Sequence, residues 1–254
     1  MKLGDFSRLA LNYKHRPAYS ETVIRCLMSY TGAIRSSFKV ADVGAGTGKL
    51  TEMFARLGMN GYAVEPNDAM RREGIKTLSK YNAFCWSKGT GEKTGLKTGC
   101  ADWVTMASSF HWTDHRKSLK EFHRILRPGG FFTALWNPRD VENDELQKAV
   151  QEIINKHVPE AKRVSSGSSK YTLDLDKKLV STGHFADVIF LEAKHTEIMS
   201  PERYLGAWRS VNDIQAQAGP VKFKEIMTHI GKLVKGKKEV ALLYKTRAWI
   251  AKSI

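Results

Sequence analysis

Short apolar runs alternate with amphipathic stretches along the first half of the chain, and the two periods separate cleanly. Runs at 38–43, 61–65, 83–86, 103–107, 131–136, 186–191 and 240–251 have the length and side-chain content of strands. Between them, 21–30, 49–57, 68–79 and 115–126 space their apolar residues as helices do. Gly58 stands where a helix would close. Asp114 is placed to cap the helix that Pro128, Gly129 and Gly130 then end. Past the fifth strand, 145–156 reads as a helix and the serine-rich 163–170 as a flexible loop. Segments 201–211 and 221–234 read as two helices inserted between the last two strands, with Pro220 marking the break. Strands alternating with helices predict an α/β fold, a mostly parallel sheet covered by helices. The inserted helices are most economically placed as a cap over the carboxyl edge of that sheet.

Composition narrows the class. A chain of 254 residues with 42% hydrophobic and 26% charged residues is long enough for a sizeable core, in one or two domains. The reading adopted is one domain over 1–254, with a core at about 35–192 and 238–254 and a helical cap at about 1–20 and 198–237. No apolar stretch reaches the ~18 residues of a membrane span. Asp5, Arg8, Lys14, His15, Arg16 and Pro17 interrupt the N-terminus, which does not read as a signal peptide. Cys26, Cys85 and Cys100 form no CxxC pair, so neither a disulfide framework nor a metal site is expected, and a cytoplasmic location is. The formal charge is +15. Segments 1–40, 41–136 and 137–254 each carry +5, so the charge is spread along the chain and makes no basic arm.

The chemistry concentrates after the first strand, in Asp42-Val43-Gly44-Ala45-Gly46-Thr47-Gly48. Three glycines at alternate positions permit a tight turn and a close backbone approach by a ligand, and the next helix offers free N–H groups. An aspartate two residues before the first glycine suits a ligand bearing an ammonium group, and has little use beside phosphate. Glu65 closes the second strand, where a carboxylate can accept two hydrogen bonds from ribose hydroxyls. Pro66 and Asn67 follow it. Thr90, Gly91 and Glu92 lie just past the third strand, and Ser108, Phe110, His111 and Trp112 open the loop after the fourth. The fifth element ends in Leu126-Arg127-Pro128-Gly129-Gly130-Phe131.

These five elements, in this order, resemble the class I S-adenosylmethionine (SAM) dependent methyltransferases, in the branch of small soluble enzymes of the trans-aconitate methyltransferase type. The likeness is strong over about 35–136 and looser at both ends. It implies a Rossmann-like, doubly wound seven-stranded sheet whose last strand is antiparallel, with SAM as cofactor and S-adenosylhomocysteine (SAH) as product. Gly44, Ala45, Gly46, Thr47 and Gly48 would wrap the methionine part, with Asp42 near its amino group. Glu65 and Pro66 would meet the ribose. Asn67 and Met70 would border the adenine, approached from the other side by Thr90, Gly91 and Glu92. Ser108 and Phe110 would line the wall near the reactive methyl. Met70, Phe110 and Trp112 also suit a plain core role.

The acceptor is less legible. A small molecule methylated on oxygen, a carboxylate or hydroxyl, fits three features: no Asn/Asp-Pro-Pro-aromatic motif, no Pro-Cys nucleophile, and helices suited to a lid. His111 could act as general base or be a packed histidine. Tyr13, Arg16 and Tyr19 could close over the substrate or dock the N-terminus. Arg16, Arg203 and Arg209 would pair with an anionic acceptor. Lys232, Lys235, Lys237 and Lys238 keep an RNA or protein substrate open, as does a SAM-binding role without turnover. Either a monomer or a homodimer is compatible with the sequence.

Overall fold

The structure, a computed structural model, describes residues 9–33, 37–163 and 170–254. Positions 164–169 of the loop expected over 163–170, and the first eight residues of the expected cap, lie outside the described residues. The element order is α1 (Ala10–Tyr13), α2 (Glu21–Thr31), β1 (Lys39–Val43), α3 (Lys49–Arg56), β2 (Asn60–Val64), α4 (Asp68–Leu78) and β3 (Phe84–Ser87). It continues with β4 (Ala101–Ala107), α5 (His115–Ile125), β5 (Leu126–Trp136), α6 (Glu145–His157) and α7 (Leu175–Val180). Last come β6 (Phe185–Met199), α8 (Pro201–Arg209), α9 (Asn212–Val234) and β7 (Val240–Ser253).

Seven strands form one sheet in the order β3-β2-β1-β4-β5-β7-β6. The first five pair in parallel, and β7 runs antiparallel to both of its neighbours. The expected doubly wound architecture is therefore present. Strand order reverses between β1 and β4, so the crevice at their carboxyl ends is the place where such sheets bind ligands. The two halves are held close by a residue choice in β2. A Cβ on Gly61 would stand 1.9 Å from the Val40 carbonyl oxygen, so glycine alone lets β1 and β2 approach in this register.

Apolar residues cover both faces. Phe110, Leu119, Phe122, Ile125, Leu175 and Leu179 pack on one side, and Val23, Ile24, Leu27, Leu50, Met53 and Phe54 on the other. A third cluster joins α6, α8 and α9 to the start of β7, through Val150, Ile154, Tyr204, Trp208, Ile226, Ile230, Leu242 and Tyr244. The inserted helices thus form a cap with its own apolar centre, and α6, expected to belong with the sheet, packs into it.

Three boundaries moved for identifiable reasons. β6 is fifteen residues long, well past the expected 186–191. Its second half alternates half-buried and exposed side chains and is held by pairing with β7 up to Met199↔Val240. α9 starts at Asn212, ahead of the expected Val221. Gly219, at φ 70° and ψ 172°, breaks its course just before Pro220, so the expected break is real but has helix on both sides. α5 stops at Ile125, before the Pro-Gly-Gly segment, because Leu126 already turns extended. Asp114 caps its start as expected, accepting from the Arg116 and Lys117 amides.

Candidate active site

The glycine turn leaves β1 and enters α3 in three steps of left-handed backbone, with φ of +68°, +60° and +83° at Gly44, Gly46 and Gly48. Side chains rarely adopt this conformation. At Gly44 a Cβ would also meet the Ser109 side chain at 2.7–2.8 Å. The Gly44 and Ala45 amides donate to the Val64 carbonyl at 2.8 and 3.1 Å, which fixes the turn to the end of β2.

Glu65 completes the cradle. Its Oε2 accepts from the Gly46 amide and its Oε1 from the Asn67 amide, both at 2.8 Å. Burial pushes its pKa up, against the pull of those two amides and of Arg71. Each carboxylate oxygen keeps a lone pair for a further donor. Asn67 also caps α4, its Oδ1 accepting from the Ala69 and Met70 amides.

A cavity of about 600 Å³ opens beside this cradle. Gly44, Ala45, Gly46, Thr47 and Glu65 line it, as do Pro66, Asn67 and Met70. Thr90, Gly91, Glu92 and Ser108 line it as well. Ser108 holds a positive φ of +53° at the end of β4, pinned by its amide bond to the Leu135 carbonyl at 2.7 Å. A left-handed serine is the kind of local strain that collects at functional sites. Tyr13, Arg16, Tyr19 and Trp112 reach the same cavity. The Tyr19 hydroxyl lies 3.3 Å from Ser108 Oγ, and burial pushes its pKa to about 12.

Six expected residues fall outside the lining. Gly48 serves as the N-cap position of α3. Asp42 is fully buried under the turn, where its carboxylate accepts from the Thr51 and Thr105 hydroxyls at 2.5 and 3.2 Å. Desolvation pushes it up to about 7. Phe110 is a core ring, packed on Phe122 and Phe132. His111 lies among Trp112, Trp136 and Tyr171, and its Nδ1 accepts from Trp136 Nε1 at 3.2 Å. Burial lowers its pKa to about 4, so it is a neutral packed ring away from the cavity, which disfavours the base reading. Arg209 stands exposed on α8, and Arg203 is engaged by Glu197.

Other residues close the cavity on the cap side, and the sequence had not singled them out: Asn137, Arg139, Gln147, Arg163, Trp208, Asp213 and Tyr244. Asn137 and Arg139 follow directly on β5, so their place past a strand's carboxyl end was a usable signal. The rest arrive from α6, the stretch after it, α8, α9 and β7, which no local pattern connects. Three guanidinium groups gather here. Arg16 donates to Ser210 Oγ and O at 2.5 and 2.9 Å and lies over the Tyr13 ring. Arg139 lies over Trp208, 4.0 Å from the ring centre. Arg163 pairs with Asp213 at 3.1 Å.

Residues 41–134 match the methyltransferase domain family. Over these residues the chain is similar to methyltransferases. It is 33% identical over 140 residues to an uncharacterized methyltransferase of Mycobacterium tuberculosis, covering 55% of this chain and 54% of that one. It is 30% identical over 118 residues to a ubiquinone/menaquinone biosynthesis C-methyltransferase of Psychromonas ingrahamii, covering 41% and 47%. The chain spans about half the length of the curated relatives it matches. Among solved structures, a candidate type II methyltransferase of Anaeromyxobacter dehalogenans superposes with a TM-score of 0.60 at 20% identity, over 94% of this chain and 97% of that one. Phosphoethanolamine N-methyltransferase 2 of Haemonchus contortus, with phosphomonomethylethanolamine and SAH, gives 0.57 at 12% identity over 98% and 58%. The shared part of these likenesses is the methyltransferase domain. One relative is named for a carbon acceptor and one fold neighbour for a nitrogen acceptor, so the acceptor atom has to be read from the pocket.

Proposed function

We propose that the protein transfers the methyl group of SAM to an oxygen of a small anionic acceptor, a carboxylate, held under the cap. SAM, when bound, supplies an activated sulfonium methyl. The cofactor half of the cavity suits it. The glycine turn leaves room that a side chain would fill, Thr47 Oγ1 is buried with no hydrogen-bond partner among the described residues, and Glu65 has lone pairs to spare for ribose hydroxyls.

The observation that carries the acceptor reading is the cap side of the cavity. Arg16, Arg139 and Arg163 line it, against the single carboxylate of Asp213 from the same side. A guanidinium fork matches a carboxylate and stays charged at any working pH. A sulfonium nearby adds further positive charge, so an anion is the acceptor that this half favours. An ionised carboxylate is already a nucleophile and needs no general base, which suits a cavity with no histidine among its described lining residues. What remains for the protein is alignment and exclusion of water, worth about 7–11 kcal/mol when geometry is held. Tyr19 and Ser108, 3.3 Å apart on the cavity wall, would position the reacting groups. The cavity volume lies in the range of about 300–1,000 Å³ usual for small-ligand sites. Lys232, Lys235, Lys237 and Lys238, the best support for an RNA substrate, do not line it.

Incubation with SAM labelled in its methyl group, together with a fractionated cell extract, tests this. Label in the small-molecule fraction that alkali releases as methanol is the expected result, because carboxyl methyl esters hydrolyse this way. Label confined to RNA or protein would overturn the reading.

A further inference from the structure

Three linked buried polar atoms at the cap end of the cavity, beside the equally unpaired Trp208 Nε1, have no hydrogen-bond partner among the described residues: Gln147 Oε1, the Tyr244 hydroxyl and Arg139 Nε. All three residues line the cavity. They are tied to one stretch of backbone at the start of β7. Arg139 bridges to Tyr244 through the main chain, and Gln147 Nε2 donates to the Leu243 carbonyl at 2.7 Å.

The orientation of the Gln147 amide is fixed. Its Nε2 faces the Leu243 carbonyl and, at 3.0 Å, Asp144 Oδ2, while Asp144 Oδ2 itself accepts from the Leu243 amide. A carbonyl only accepts, so the nitrogen must point that way and Oε1 is what the side chain presents to the cavity. Gln147 is 1% exposed and Tyr244 2%, so neither atom is served by bulk solvent. Buried polar groups are rarely left unmade.

The set is therefore an acceptor (Gln147), a donor (Arg139) and a hydroxyl that can be either (Tyr244). A carboxylate alone satisfies Arg139 and Tyr244 but brings no hydrogen for Gln147. An ammonium would bring one, but beside Arg139 its charge is disfavoured. A hydroxyl completes the set. We propose that Gln147 and Tyr244 form a specificity subsite that reads a hydroxyl group on the acceptor, which makes the preferred substrate class a hydroxyl-bearing carboxylic acid. This rests on the anionic-acceptor reading above and refines it.

Calorimetry on the full chain saturated with SAH, titrated with matched acids, tests the subsite. Succinate against malate, 3-phenylpropanoate against 3-phenyllactate, and hexanoate against 2-hydroxyhexanoate each differ by one hydroxyl. In at least one pair the hydroxy acid is expected to bind about tenfold tighter or better, the scale of a hydrogen bond gained with buried partners. Tyr244→Phe should reduce that preference to about twofold or less. Its hydroxyl bonds nothing else among the described residues, so the melting temperature should not move and a folding defect cannot imitate the result. Equal binding of both members in every pair, or a preference that survives Tyr244→Phe intact, would overturn the subsite and leave the anionic reading standing. Failure of every acid to bind would overturn both, while SAH binding in the same titrations would still report on the cofactor half.

Discussion

Glu65 does two jobs with one carboxylate: it ties the glycine turn to the start of α4, and it offers its remaining lone pairs to the cavity. Glu65→Ala should weaken SAH binding about tenfold or more by calorimetry, through loss of charge-assisted hydrogen bonds. Unchanged affinity would remove Glu65 from the cofactor site. Asp42 makes a different expectation. The folded protein keeps it protonated up to about pH 7, whereas an unfolded chain releases that proton near pH ~4. The folded state thus binds more protons across that window, so stability falls as pH rises from about 4 to about 7. Asp42→Asn cannot ionise, and an amide can still bond both threonine hydroxyls. Urea unfolding should show the variant gaining on the parent between about pH 4 and about pH 7; parallel curves would mean Asp42 is ionised in the fold. Both residues were legible because they sit at strand ends beside glycine and proline punctuation. His111 shows the limit. Sequence places it at the right strand end, but which way a loop residue turns depends on Trp136 and Tyr171, residues 25 and 60 positions away that only the fold brings near.

At the scale of elements, the cap carries the least local information and the most substrate chemistry. Pro220 signals a break in α9, yet the helix on its near side carries no apolar period, because its first turns, Asn212 to Ala218, are mostly polar and small. That near half delivers Asp213 to Arg163, while the far half packs Ile226 and Ile230 into the cap. Gly219 sets the angle between them with a backbone conformation that is essentially glycine-only. Gly219→Ala should destabilise the protein by about 1–3 kcal/mol in urea unfolding, and should weaken acceptor binding more than SAH binding. An equal effect on both ligands would show that the kink does not position Asp213. The parallel strands were read within a few residues because each is a short apolar run between breakers. β6 was cut short because its outer half is an edge strand whose alternation is specified by β7, not by its own composition.

For the molecule as a whole, the +15 charge first suggests nucleic acid. Its position matters more than its size: the positive groups with a clear chemical use are the three arginines under the cap, and they come from separate parts of the chain. Arg16 precedes α2, Arg139 follows β5 and Arg163 follows α6, so no window of sequence contains them together. The sheet and the cofactor cradle are written locally, while the acceptor pocket exists only after the cap has folded onto the sheet. One measurement tests that picture most directly, a crystal structure of the protein with SAH. The expected result is the ribose hydroxyls on Glu65, the amino-acid end against Gly44 to Gly48, and the sulfur facing the space between Tyr19, Ser108 and the three arginines. SAH bound away from the glycine turn, or with its sulfur turned from Arg16, Arg139 and Arg163 toward open solvent, would contradict it.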